Sequence, residues 1–347
     1  MRVCYFGIYN PSYSRNRILM SGLRQNGVEV IECNSHSAGV KKYWELIQKH
    51  RKIRHNYSVM VVGYPGYQAV LLAWLLTRKP IIFDAFTSLY DSLVYDRKQV
   101  KLSSIKARYY WLLDWLSLRI ADHILFETQT HIDYASAEFG MPKKKFTRIW
   151  IGADTSIFSP HPARKNDIFT ALFFGTFIPL QGVEYIIGAA HLLAQENISF
   201  SVVGNGQTKK RILFLAEKLG IKNVVFFDTV SQEELFQKIA KADVCLGIFG
   251  NTPKTMRVIP NKVYECLAMK KPVITADTPA ARELLSDRDV HFVQAANSAS
   301  IAKGILHLKN NQNTMEERAK NGYDTFTSNA TPLILGEQLK RCIEALV

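Results

Sequence analysis

Cysteine is scarce in this 347-residue chain: five residues, at 4, 33, 245, 266 and 342, odd in number and never closer than 21 positions. That usage excludes a disulfide framework and reads as reduced core thiols of a cytosolic protein. Long apolar runs are also missing. The longest, Ala69 to Leu76, has eight residues, against the ~20 that a membrane-spanning helix needs. The first residues, Met1-Arg2-Val3-Cys4-Tyr5-Phe6-Gly7, show no charged leader before an apolar stretch and a small-residue cleavage site. They read as a buried first strand, and secretion is not expected. There is no internal repeat, no low-complexity segment, and no His/Cys cluster with metal-ligand spacing. What is present is a globular composition, with 47% apolar, 21% charged and 11% aromatic residues. This excludes wholesale disorder, and the length fits two domains of ordinary size.

The charge is lopsided. Forty-four Lys and Arg face 30 Asp and Glu, leaving +14. Residues 1–163 hold 22 of the basic and 12 of the acidic side chains, so the first half carries most of the excess. Two stretches concentrate it: Lys41 to Arg54, with six basic residues and one acid, and Arg97 to Arg108, with five and none. Aromatics adjoin both, Tyr43 and Trp44 in one case, Tyr109, Tyr110 and Trp111 in the other. Such a surface suits anionic lipid headgroups; a solvated helix face with inward aromatics has the same pattern. No nucleic-acid motif is present, and nucleic acid is not expected as a partner.

Short apolar runs alternate with amphipathic stretches throughout, the pattern of strand–helix units in parallel sheets. Strands are expected near 2–8, 28–32, 58–62, 80–83, 122–126 and 146–150, then near 169–174, 199–203, 223–227, 243–248, 272–275 and 290–293. Helices fit the first-half gaps near 16–26, 39–52, 67–77, 104–120 and 129–138. A linker is expected over about 156–168, where Pro160 and Pro162 interrupt both periodicities. The fold class is therefore α/β, with two doubly wound Rossmann-like domains facing a cleft. The domains run over 1–160 and 165–330, and a C-terminal helix over 331–347 covers one of them. In such sheets ligands bind at the carboxyl ends of the strands. Gly175-Thr176 and Gly204-Asn205-Gly206 follow strands, where glycines admit a close turn and backbone amides can receive phosphate. Glycines that simply end strands would look the same.

The segment Thr252-Pro253-Lys254-Thr255-Met256-Arg257-Val258-Ile259-Pro260-Asn261-Lys262-Val263-Tyr264-Glu265, continuing through Lys271-Pro272-Val273, resembles the donor-binding motif of family 4 (group 1) glycosyltransferases of GT-B fold. Ala121 to Thr128, Ile151 to Pro160 and Ala242 to Leu246 resemble other pieces of that family in the same order. The resemblance covers most of 120–295. It implies a retaining enzyme that moves a sugar from a UDP- or GDP-linked donor to a glycan or lipid-linked acceptor in polysaccharide or cell-envelope synthesis, and the basic first half adds the expectation of a cytoplasmic protein peripheral to the inner face of the plasma membrane. It also implies front-face attack, with a donor phosphate oxygen taking the acceptor proton. A metal-independent enzyme without cofactors is expected. A GT-B nucleotide-sugar epimerase and a non-catalytic binding subunit are the alternatives.

Residue by residue, the resemblance gives Glu265 the ribose of the donor, although a glutamate near a helix start also complements the dipole. The family's usual phosphate-binding Arg and Lys fall at Thr176 and Gln181, both uncharged. The glutamate that normally stands eight positions before Glu265 is Arg257. Lys254, Arg257 and Lys262 are therefore expected to cradle the diphosphate, Lys262 most directly, with Asn261, Gly175, Thr176, Gly204 and Asn205 lining the donor site. Stabilising the leaving diphosphate makes Lys262 and Arg257 catalytic in effect. In the first domain, Arg15 and Arg17 either bind phosphate or solubilise the surface. Asp84 either orients an acceptor hydroxyl or caps a turn. His131 is read as a surface histidine at a helix start, with a catalytic base as the alternative, and Asp154 as a turn residue before the linker.

Overall fold

The computed structural model describes residues 1–162 and 166–347. The chain divides into two compact units. One comprises Met1–Val94, Lys98–Asp154 and Asn329–Val347, the other Tyr95–Arg97 and Thr155–Ser328. The expected linker begins in irregular chain, and its residues 163–165 lie outside the described residues.

In the first unit, strands and helices alternate as β1 (Arg2–Gly7), α1 (Ser14–Gln25), β2 (Glu29–Asn34), α2 (Lys41–Ile53), β3 (Val59–Val62), α3 (Tyr67–Leu76), β4 (Ile81–Phe86), α4 (Ile105–Ile120), β5 (His123–Phe126), α5 (Gln129–Phe139) and β6 (Phe146–Arg148). The six strands form one parallel sheet in the order β2-β1-β3-β4-β5-β6. Every residue of β3 and β4 is buried, as expected for parallel strands covered on both faces. Between β4 and α4 lies a short π-helical turn, Asp91–Asp96, which periodicity does not reveal.

The second unit continues with β7 (Phe169–Phe174), α6 (Val183–Leu192), β8 (Ile198–Val203), α7 (Lys209–Lys218), β9 (Val224–Phe227), α8 (Gln232–Lys241), β10 (Val244–Leu246), α9 (Asn261–Ala268), β11 (Val273–Ala276), α10 (Pro279–Arg282), β12 (His291–Val293), α11 (Ser298–Asn310) and α12 (Gln312–Asn329). Its sheet runs β12-β11-β10-β7-β8-β9, again parallel. The order reverses at β7, so the crevice between the carboxyl ends of β7 and β10 is the topological switch point, where such sheets receive ligands. Apolar side chains of β7, β8, α6 and α11 form its core, with Phe173, Ile187, Phe200 and Ile305 inaccessible to solvent.

The last helix, α13 (Pro332–Glu344), packs on α1 in the first unit. The approach is backbone to backbone: a Cβ at Gly22 would fall 2.1 Å from Pro332 O, and one at Gly336 would fall 2.0 Å from the carbonyl carbon of Gly22. Only glycine allows that spacing. Asn26 Nδ2 donates to Leu333 O at 2.8 Å and closes the junction.

Candidate donor site

At the carboxyl ends of β7 and β8 the chain turns through Gly175 and Gly204, both at positive φ. The two loops touch so closely that a Cβ on Gly204 would lie 2.0 Å from Gly175 O, which accounts for glycine there. A pocket of about 220 Å³ opens beside them, lined by Gly175, Thr176, Gly204, Asn205, Thr229 and Leu235 among others. Four of the expected donor-site residues are thus neighbours. Thr176 is exposed at the rim. The Asn205 side chain instead shapes its own loop, its Oδ1 accepting from Gly206 N at 2.7 Å.

Lys262 enters this region from the first turn of α9. Its ammonium donates to Gln181 Oε1 and to Gly247 O, the latter at 3.3 Å, and lies 3.6 Å from the centre of the Phe173 ring. A Cβ on Gly175 would be 3.2 Å from Nζ. Phe173 belongs to β7 and Gly247 follows β10, so Lys262 occupies the switch point itself. The side chain is only 4% exposed. Burial holds its pKa well below the ordinary lysine value, against a small opposing pull from Cys266 and Glu265. A desolvated amine held by an amide and a carbonyl oxygen is suited to receive an anion. Gln181 stands where the resemblance places a lysine, and Lys262 sits against it.

The remaining members of the expected cradle have different surroundings. Lys254 and Arg257 belong to a 3-10 turn, Pro253–Arg257, capped by Thr252 Oγ1, which accepts from Thr255 N at 3.3 Å. Lys254 is buried within electrostatic reach of Asp96, whose carboxyl is pushed up by burial and drawn back by Lys254 and by hydrogen bonds from Thr252 and the Leu180 backbone. Arg257 is partly exposed, as are Asn261 and Glu265 at the start of α9 and one turn on.

Asp96 was missed in the sequence reading. Thr252 Oγ1 donates to Asp96 Oδ1 at 3.1 Å, and Gln207 Nε2 donates to Arg97 O at 2.8 Å. Three residues from the first half of the chain, Tyr95–Arg97, thereby tie together the loops bearing Leu180, Gln207 and Thr252 in the second unit. The sequence does contain an Asp-x-Asp triplet, Asp287-Arg288-Asp289, a pattern that the expectation of a metal-independent enzyme took to be absent. Asp287 pairs with Arg282 at 2.6 Å, and Asp289 accepts from Ser286 N at 2.7 Å and Thr325 Oγ1 at 2.9 Å. Among the described residues no group of three or more His, Cys, Asp or Glu side chains is arranged to hold a metal ion.

Several expectations for the first unit are corrected. Asp84 and Arg15 are both inaccessible to solvent and bind each other, Nη2 to Oδ1 at 2.8 Å and Nε to Oδ2 at 3.0 Å. Arg15 Nη1 also donates to Ile149 O at 2.8 Å and Trp150 O at 2.6 Å. Arg15 therefore bolts α1 to β4 and to the chain leaving β6. In this structure Asp84 presents no oxygen to an acceptor hydroxyl, and Arg15 presents no donor to a phosphate. Sequence position alone could not show that two residues 69 apart neutralise each other. Arg17 pairs with Asp154 at 2.7 Å. His131 is not on the surface: it is fully buried, with Nδ1 3.8 Å from Glu127 Oε1 and Nε2 3.9 Å from Asp91 Oδ2. Near it Asp114 accepts from Ser88 Oγ at 2.7 Å and Tyr90 N at 2.8 Å, and burial pushes its pKa up to about 7. Trp111, expected at an interface, turns to Glu138, donating Nε1–H to Oε1 at 2.9 Å.

Known proteins resemble the chain in sequence and in fold. The family profile "Glycosyl transferases group 1" matches residues 155–325. A relative from Escherichia coli (strain K12), the "Putative colanic acid biosynthesis glycosyl transferase WcaI", is 32% identical over 107 residues, a stretch that spans 30% of this chain and 26% of that protein. Among solved structures, Anabaena Alr3699/HepE in complex with UDP and glucose aligns over 100% of both chains with a TM-score of 0.73 and 15% identity. Sucrose-phosphate synthase from Thermosynechococcus elongatus aligns over 99% of this chain and 98% of its own, with a TM-score of 0.77 and 14% identity. At such identities these structures speak for the fold. The chain has two Rossmann-like units of six parallel strands in the GT-B architecture, and its second unit, over residues 155–325, belongs to the group 1 glycosyltransferases.

Proposed function

We propose that the chain is a retaining glycosyltransferase that moves a sugar from a UDP- or GDP-linked donor to a glycan or lipid-linked glycan acceptor in the building of a cell-envelope polysaccharide. It would work on the cytoplasmic side of the membrane. The observation that carries this reading is Lys262, a buried amine at the switch point of the family-matched unit, beside the pocket lined by Gly175, Thr176 and Gly204. HepE has been solved with UDP-glucose, and the E. coli relative is named for colanic acid biosynthesis; both support the donor class and the pathway class.

In this reading Glu265 accepts the ribose hydroxyls and the amides of the Gly175 and Gly204 loops face the phosphates. Lys262, with Lys254 and Arg257, stabilises the diphosphate as the bond to the sugar breaks. That charge stabilisation is the protein's main contribution, because a preorganised cation in a dry site acts on charge that develops only in the transition state. A donor phosphate oxygen takes the acceptor proton, so no carboxylate base is required, in keeping with the closed Arg15–Asp84 pair. No metal is assigned a role.

The test follows UDP-glucose, UDP-galactose and GDP-mannose by proton and phosphorus NMR with the full chain, with and without EDTA. Slow release of nucleotide diphosphate and an α-configured sugar from an α-linked donor, unaffected by EDTA, is the expected result. Release of a β-configured sugar would overturn retention, loss with EDTA would overturn metal independence, and an epimerised sugar in place of transfer would favour the epimerase.

A further inference from the structure

Helix α3 is apolar at every position except Gln68. A helix that is apolar all round is normally enclosed by protein or faces lipid. Here one side is buried through Val70 and Ala73, yet Trp74 is 50% and Leu75 is 72% exposed. Its neighbours repeat the feature. Trp44 on α2 is 56% exposed, and on α4 Ile105 is 86% exposed, with Tyr109 and Leu112 following at four and seven residues on the same face.

Hydrogen bonds join the three helices into one surface. Tyr43 Oη donates to Gln68 Oε1 at 2.6 Å, and Gln68 Nε2 donates to Tyr109 Oη at 3.2 Å. The exposed apolar side chains stand around this row. A monomeric protein rarely leaves so many on adjoining elements.

The charges beside these side chains are of one sign. Lys41, Lys101, Lys106 and Arg108 are exposed, and no acid occurs between Arg97 and Leu113. The acid nearest Trp44, Glu45, is turned onto Ser35 Oγ and Ser37 Oγ at 2.7 and 2.6 Å, which holds its pKa below the usual carboxylate range. Apolar and aromatic side chains with lysine and arginine beside them match the headgroup region of an anionic bilayer, where indoles settle at the interface and the cations reach the headgroups. Among the described residues no helix is long and apolar enough to cross a membrane, so the contact is peripheral.

We infer that the α2–α3–α4 face of the first unit docks on anionic lipid, with Trp44, Trp74, Leu75 and Ile105 entering the interface and Lys41, Lys101, Lys106 and Arg108 binding headgroups. This inference stands on the surface alone and does not depend on the donor-site reading.

The experiment is co-sedimentation of the full chain with vesicles of phosphatidylcholine alone and with 30% phosphatidylglycerol, at low and high salt. Binding is expected only to the anionic vesicles and to weaken with salt. Lys101→Ala with Lys106→Ala should weaken partition about 25-fold, fivefold for each charge removed. Ile105→Glu with Leu75→Glu should abolish it. Both pairs change exposed side chains, and unaltered thermal unfolding and an unaltered response to nucleotide will show that the fold persists. Quenching of tryptophan by brominated lipid, lost in Trp44→Phe with Trp74→Phe, reads insertion directly. Three results would overturn the inference: no binding to anionic vesicles, equal binding by all variants, or self-association in solution that the same variants disrupt, which would assign the face to a second copy of the chain.

Discussion

Replacing Lys262 by methionine separates two effects that a merely structural lysine would join. Methionine keeps the buried stem against Phe173 and removes only the ammonium. In the unliganded protein that ammonium is desolvated, and its pKa is held well below the ordinary lysine value by burial. Removing it takes away hydrogen bonds to Gln181 and Gly247 together with the penalty of burying a charge, two changes of opposite sign. Unliganded stability should therefore move by no more than about 1 kcal/mol. Nucleotide diphosphate binding should lose a charge-assisted contact of roughly 1.5–3 kcal/mol, a 10- to 150-fold weaker Kd. The sign of the proton linkage adds a second readout. Because burial depresses the folded pKa, an anion at Lys262 draws a proton onto it, so binding takes up protons and weakens as pH rises. Titration calorimetry of UDP or GDP in buffers of different ionisation enthalpy measures this, and the uptake should vanish in Lys262→Met. A variant that loses several kcal/mol of unliganded stability while binding nucleotide normally would refute the reasoning.

Three further outcomes follow from other buried groups. Asp96→Ala should weaken nucleotide binding by about tenfold, the order of one lost charged hydrogen bond that orders the Thr252 loop, with Asp96→Asn recovering most of it. Affinity unchanged in Asp96→Ala, measured by the same calorimetry, would contradict a role for Asp96 in ordering the Thr252 loop. Asp84→Ala leaves Arg15 buried without its carboxylate and should cost about 3–5 kcal/mol in urea unfolding; a fully stable variant with impaired acceptor use would restore Asp84 as a substrate contact. Burial raises the folded pKa of Asp114 to about 7, above the ordinary aspartate value, so the unfolded chain releases its proton first. Its contribution to stability is full below about pH 4, declines as pH rises toward 7 and is flat beyond. Urea titrations should show the stability difference between wild type and Asp114→Asn changing across that window, and a constant difference would contradict the assignment.

The strands were the most legible part of the chain, because runs such as Phe169-Thr170-Ala171-Leu172-Phe173-Phe174 and Val59-Met60-Val61-Val62 are short, apolar and bounded by polar helical stretches. All twelve fall where the alternation puts them. The glycines of the donor pocket were legible for a similar reason, since each directly follows a strand. Pairings across the fold were not. Arg15 meets Asp84, Lys262 meets Gln181 and Thr252 meets Asp96 over separations of 69, 81 and 156 residues, and local periodicity carries no information about such partners. Exposure was equally hidden: the run from Ala69 to Leu76 was measured against a membrane span, while its structural significance lies in the two side chains, Trp74 and Leu75, that the unit leaves uncovered. His131 erred the other way, because a helix start after a strand looks exposed until the π-helical turn bearing Asp91 closes over it.

The central claim is that the second unit holds a nucleotide diphosphate at the crevice between β7 and β10. Thermal unfolding of the full chain with UDP, GDP and CMP and their sugar conjugates, with and without EDTA, in wild type, Lys262→Met and Glu265→Ala, tests it most directly. One nucleoside diphosphate class should raise the unfolding temperature of the wild type at saturating concentration, with EDTA making no difference and both variants losing the shift. No shift with any nucleotide, or an equal shift in all three proteins, would contradict the assignment of the site and move the non-catalytic reading to the front.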